Sequence, residues 1–132
     1  MGKTLSVVAA IIENENEEIL CALRSPKMSI PNQWEFPGGK IQEGERPEEA
    51  IEREINEELK CTVKANTMFL KSHHDYETFS IDLTAIKCTL TSGLPTAHEH
   101  SKLIWLKREN LDSLRWAPAD VATVEQLMTE CL

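Results

Sequence analysis

No apolar run in the 132-residue chain is longer than residues 7–12. That falls far short of the roughly 20 residues a membrane-crossing helix needs. The N-terminus also lacks a small-residue cleavage site behind its early lysine, so it reads as a strand and not as a secretion signal. The four cysteines (Cys21, Cys61, Cys88, Cys131) contain no C-x-x-C pair. They read as free thiols in a reducing compartment, which makes a cytoplasmic protein the expectation. Basic residues are outnumbered, 14 Lys and Arg against 22 Asp and Glu, for a formal net charge of −8. That balance opposes binding to a nucleic acid polymer or an anionic membrane. A polyphosphate ligand would need a cation between itself and the protein. No linker, repeat or low-complexity stretch divides the chain, so residues 1–132 are expected to form one domain, as a monomer or a homodimer. A chain of this size buries roughly 70% of its unfolded surface without a staple.

The polar and apolar residues then order into elements. Residues 5–12 are apolar in succession, as in a strand covered on both faces. Residues 13–17 are a polar turn and residues 19–24 a returning strand, which predicts a hairpin. Residues 25–33 form a loop, and 34–36 a short apolar piece before Pro37-Gly38-Gly39. Pro47 opens a helix over 47–60, with Glu48 and Glu49 at its positive end and Ile51, Ile55 and Leu59 as its apolar stripe. Residues 61–70 and 78–90 read as long strands. The second changes phase from Phe79, Ile81, Leu83 and Ala85 to Ile86, Cys88 and Leu90, which predicts a bulge near Ala85. A loop over 91–100 precedes a strand over 102–106. A last helix over 118–131 would bury Val121, Val124, Met128 and Cys131. Strands interrupted by two helices predict an α/β (α+β) sandwich around a mixed sheet.

One segment carries the chemistry. Eight glutamates lie between Glu43 and Glu58. On a helix, Glu54, Glu57 and Glu58 share an arc of roughly 100° that borders the apolar stripe. Like charges so placed repel unless a cation sits among them. Hard carboxylate oxygens with no soft ligand point to Mg²⁺, with Mn²⁺ as a substitute.

Gly39, Glu45, Arg53, Glu54, Ile55, Glu57, Glu58 and Cys61 hold the fixed positions of G-x5-E-x7-R-E-U-x-E-E-x-G-U, where U is a bulky apolar residue. The segment thereby resembles the signature of the Nudix hydrolases. Lys60 stands where the signature has its second glycine, a helix-end position that favours a left-handed residue. Residues 34–40 (WEFPGGK) resemble the MutT-type nucleoside triphosphate pyrophosphohydrolases of that family. Residues 7–12, 97–100 and 117–120 are similar to its bacterial CTP pyrophosphohydrolases. The resemblance implies a Nudix α/β/α sandwich and Mg²⁺-dependent hydrolysis of a nucleoside triphosphate to monophosphate and pyrophosphate. CTP, 5-methyl-dCTP or 8-oxo-dGTP would be the substrate and nucleotide-pool sanitation the role. It assigns Glu54, Glu57, Glu58, Glu99 and the Gly38 carbonyl to the metal, and Glu54 or Glu99 to the general base. Arg53 would orient Glu54, and Glu45 would steady the loop before the helix.

The same resemblance makes Arg24 a phosphate contact and Asp120 the reader of the base. Lys40 is placed to reach a phosphate, and Trp34, Tyr76 and Phe79 are candidate walls of the nucleotide site, with Trp105 and Trp116 as further stacking candidates. The four histidines lack metal-ligand spacing, so zinc is not expected. An ionised Asp120 only accepts hydrogen bonds. It suits the paired donors of a guanine-type base directly, and suits cytosine once a proton is shared with N3. The alternatives are another Nudix specificity or an inactive nucleotide-sensing module. The box glutamates are all present, and no proline follows the box before Pro95 as ADP-ribose hydrolases usually have.

Overall fold

The computed structural model describes residues 2–130. Its strands are β1 (Lys3–Ile12), β2 (Glu18–Leu23), β3 (Trp34–Glu35), β4 (Gly38–Lys40), β5 (Thr62–Asp75), β6 (Phe79–Ser92) and β7 (Lys102–Lys107). The helices are α1 (Pro47–Leu59) and α2 (Val121–Thr129), with 3₁₀ turns at Arg108–Ser113 and Pro118–Asp120. One sheet has the order β4-β1-β6-β5, with β1 parallel to β6, and the other the order β3-β2-β7.

Both sheets lie between two apolar cores. Val8, Ala10 and Ile12 of β1 face Ile51, Ile55 and Leu59 of α1, while Ala9 and Ile11 face Leu111, Val124 and Leu127 on the α2 side. This is why residues 7–12 are apolar without alternation: a strand covered on both faces needs apolar groups at both parities. The result is the mixed-sheet α/β/α sandwich expected from the sequence.

Four local expectations are corrected. The hairpin does not form: β1 and β2 part into different sheets after a single bridge between Glu13 and Ile19. The phase change in β6 is not a bulge, because Leu83 and Ala85 serve the α2 core while Ile86 and Cys88 serve the α1 core. The irregularity lies across the ladder, where Phe69 has no partner between Met68 and Leu70, which face Ile86 and Ala85. The last helix begins only after the turn at Pro118–Asp120, and Val121 is 41% exposed; Val124 is buried and Met128 packs on the core as expected, and Thr123 and Leu127 are buried with them. Cys131 lies outside the described residues. Lys60 takes the left-handed conformation (φ 57°) that the helix end requires, and its N–H donates to the Asn56 carbonyl. Among the described residues, no helix is long and apolar enough to cross a membrane.

Candidate active site

The α1 stripe buries Ile51, Ile55 and Leu59, and this fixes where the adjoining glutamates stand. Glu54 and Glu58 sit at the edge of the core and Glu57 farther out, its side chain 59% exposed. Strand β4 brings Gly38 and Gly39 against them. A Cβ on Gly38 would strike the Val8 carbonyl, and one on Gly39 would strike the Glu54 carboxylate. The two glycines therefore exclude different things. Gly38→Ala is expected to destabilise the fold, because backbone cannot step aside. Gly39→Ala should fold with near-native stability but lose at least ~10-fold in turnover by displacing Glu54; thermal melts paired with rates check both.

Arg53 organises the carboxylates. Its Nε and Nη2 donate to the two oxygens of Glu45 (2.7 and 3.0 Å), and Nη1 donates to Glu54 (2.9 Å) and Glu57 (3.0 Å). Nη2 also holds the Lys40 carbonyl (3.0 Å), tying β4 to α1. The Arg53 guanidinium, with the Gln42 N–H, holds the Glu45 carboxyl below its ordinary range. Burial pushes Glu54 up against the pull of Arg53. It pushes Glu58 up to about 7, with Glu54, Glu35 and Glu99 adding like charge. Glu58 Oε1 is buried with no hydrogen-bond partner.

Among the described residues no three His, Cys, Asp or Glu side chains converge closely enough to hold an ion as they stand. Glu57 is turned to Arg53, and Glu99 is exposed on the loop before β7. The donor set nevertheless fits a hard divalent cation. Two carboxylates lifted by burial stand on one helix face, one with an orphaned oxygen, and a divalent cation would supply charge that favours their ionised forms.

A cavity of about 450 Å³ opens beside this helix and receives Arg24, Gly38, Lys40, Glu58, Tyr76, Phe79 and Asp120. That volume lies within the range of small-molecule sites. Tyr76 and Phe79 stack at 4.9 Å as one wall, and the Tyr76 hydroxyl accepts from the Ala119 N–H (3.2 Å), fixing the turn that presents Asp120. Asp120 is not a surface acid. It is buried, its Oδ1 accepts from the Phe36 N–H (3.3 Å), and burial, reinforced by Glu35, holds its carboxyl well above the usual range. Burial thus favours the neutral form of this carboxyl, which would offer one donor beside one acceptor.

Arg24 is more occupied than its sequence position suggested. Nε donates to the carbonyls of Ser29 (2.7 Å) and Ile30 (3.1 Å), Nη2 to Ser29 Oγ (3.1 Å) and Nη1 to Glu35 (2.6 Å). Two of its five N–H groups remain for a ligand. Trp34 does not line the cavity: its main chain bonds toward Arg115 and Ala117, and its ring packs on the α2 core. Trp116 donates to the Leu111 carbonyl from within that core, and Trp105 packs on the α1 core.

Two residues escaped the sequence reading. Glu35 stands between Trp34 and Phe36, and an isolated carboxylate between aromatic residues was the available signal. His100 gave no signal beyond its place in the 97–100 resemblance, since it lies among polar loop residues, yet its side chain is fully buried and its Nε2 donates to Glu35 (2.7 Å).

A mixed sheet between two helices, with a glutamate-bearing helix against a Gly-Gly strand, defines a Nudix protein. The NUDIX domain model matches residues 3–130. The chain is 32% identical over 125 residues to the 8-oxo-dGTP diphosphatase of Escherichia coli (strain K12), covering 95% of this chain and 97% of that one. It is 33% identical over 126 residues to the CTP pyrophosphohydrolase of the same strain, covering 96% and 93%. The solution structure of the DNA mismatch repair protein MutT (family Nudix hydrolase) from methicillin-resistant Staphylococcus aureus 252 superposes with a TM-score of 0.79 at 46% identity, covering 98% and 99%. The chain belongs to the Nudix family and is a hydrolase. Enzymes of this family generally use a divalent metal ion.

Proposed function

We propose that the chain hydrolyses a nucleoside triphosphate to the monophosphate and pyrophosphate with Mg²⁺, and that cytidine-type nucleotides are its first substrates. The observation that carries this reading is one cavity with unlike linings: Glu58 of α1 beside Gly38 and Gly39, and a buried Asp120 beside an aromatic wall. Glu54, Glu57, Glu58 and the Gly38 carbonyl would hold the ion, with Glu99 completing the set from its loop. When bound, the ion would neutralise phosphate charge and acidify the attacking water. Glu54 or Glu99 takes the water proton, and Arg53 holds Glu54 in place. Lys40 and the free N–H groups of Arg24 face the phosphates.

The base follows from donor–acceptor matching. A neutral Asp120 donates to cytosine N3 and accepts from its N4 amino group, with no further proton needed. This is the shared-proton state that an ionised carboxylate would have had to reach. The O6/N1–H edge of a guanine-type base presents the same pair in reverse order. With a relative named for 8-oxo-dGTP, that nucleotide is the second reading. A phosphate-release assay with Mg²⁺ and added inorganic pyrophosphatase, run over a nucleotide panel, tests the proposal. Release from CTP, 5-methyl-dCTP or 8-oxo-dGTP is expected; release confined to ADP-ribose or coenzyme A, or none at all, would reject it.

Arg24→Ala is expected to lower kcat/KM on all these nucleotides by similar factors, on the order of 10- to 100-fold, the size of one charged hydrogen bond. A shift in base preference without a general loss would contradict its assignment to phosphate.

A further inference from the structure

We propose that Glu35 is a positioning residue: its carboxylate bridges Arg24 and His100, tying the loop over the cavity to the segment that carries Glu99. The bridge rests on the proposed function for its consequence, but not for its existence. Oε1 accepts from Arg24 Nη1 at 2.6 Å and Oε2 from His100 Nε2 at 2.7 Å, with the three side chains 15%, 17% and 0% exposed in the order Glu35, Arg24, His100. A half-buried carboxylate engaged at both oxygens has little freedom, so each partner constrains the other.

Each end of the bridge holds a segment that needs holding. Arg24 grips the carbonyls of Ser29 and Ile30, and Met28, Ser29 and Ile30 line the cavity. Ile30 (φ 51°) and Asn32 (φ 61°) are in the left-handed region, costly for a β-branched residue, so the loop shape is imposed by its tethers. At the other end, the segment before β7 is pinned where the Thr96 N–H meets the Leu59 carbonyl (2.9 Å) and the Ser101 N–H meets the Leu23 carbonyl (2.9 Å). His100 is its buried pivot. Glu99, the preceding residue, is exposed and close enough to Glu58 to raise that carboxyl. Fixing His100 fixes where Glu99 can swing, and the fixing group is Glu35. The loop over the cavity and the segment that carries Glu99 thus share one side chain.

The test has a structural arm and a kinetic arm. In amide hydrogen exchange on the free protein, His100→Leu is expected to speed exchange at least ~5-fold in residues 93–101 and also, across the bridge, in residues 25–33. Glu35→Gln is expected to loosen both segments. An effect of His100→Leu confined to 93–101 overturns the proposal, and this readout stands even if Glu35→Gln does not fold. In kinetics with CTP, Glu35→Gln should lower kcat ~10-fold with KM within ~3-fold. Against a Glu99→Gln background it should lower kcat by less than ~3-fold, because the bridge acts through Glu99. Losses that multiply in the double variant overturn the positioning role. His100→Gln, whose amide can donate to Glu35 in place of Nε2, should keep kcat within ~3-fold of the parent where His100→Leu does not; equal losses in both also overturn it. A parent protein inactive on every nucleotide would reject the proposed function, while the exchange arm would still decide the bridge.

Discussion

Glu58→Gln is expected to lower turnover on the order of 10³-fold or more at saturating Mg²⁺ while leaving the protein folded. The size follows from removing one charged oxygen from the group that would hold the ion, which is several kcal/mol of transition-state stabilisation. Stability should move the other way. Burial lifts the Glu58 carboxyl from 4.5 to about 7 in the folded metal-free protein, so the folded state holds this proton more tightly than the unfolded chain. Its contribution to stability is therefore full below about 4.5 and is lost as pH rises through about 7. The metal-free Tm should fall between pH 5 and 8, and Glu58→Gln should flatten that fall. Added Mg²⁺ should raise the Tm of the parent at pH 8 more than that of the variant. Glu57→Gln should lose comparable turnover without the stability gain, because Glu57 is largely exposed and shares Arg53 with Glu54. Near-normal turnover in both variants would end the metal-helix reading.

Asp120→Ala should cost ~10- to 100-fold in kcat/KM for CTP, since the substitution removes both a donor and an acceptor from a buried edge. Asp120→Asn separates charge from pattern. Asparagine offers one donor and one acceptor, as the neutral acid does. The variant should therefore stay within a few-fold of the parent at the acidic end of the range, where protonation of Asp120 is favoured. Burial raises the Asp120 carboxyl well above 3.8, so the parent should lose CTP hydrolysis as pH rises through that lifted value. The asparagine variant should keep its activity over the same range. The measurement is kcat/KM for CTP and 8-oxo-dGTP from pH 6 to 9 in parent and variants. Parallel profiles in parent and Asp120→Asn would show that Asp120 does not read the base.

The sequence made the carboxylate helix legible because a helix of known period fixes which glutamates share a face, and α1 places Glu54 and Glu58 at the core edge accordingly. It also gave the two-faced burial of β1. The partition into two sheets was not legible, since a polar turn after Ile12 serves a hairpin and a sheet-to-sheet crossing equally well. Neither was the state of Asp120, because its burial depends on the Phe36 and Tyr76 contacts made across the fold. Glu35 and His100 were missed for the same reason: they lie 65 positions apart and gain meaning only when β3 meets the loop before β7.

The parallel pairing of β1 with β6 also bears on how the molecule is made. Lys3 stands opposite Phe79 and Ile12 opposite Cys88, whereas β5 and β6 are joined by a three-residue connection and pair over most of their length. Closing a short connection precedes closing a long one, and non-local parallel pairing is slow. The β5–β6 ribbon is thus the expected folding template, onto which β1 docks later. Strand β4, with Gly38 and Gly39, pairs only with β1. The strand proposed to floor the catalytic site is therefore expected to join near the end of folding, and a chain stalled before that step would carry its regular structure without the proposed place to bind an ion.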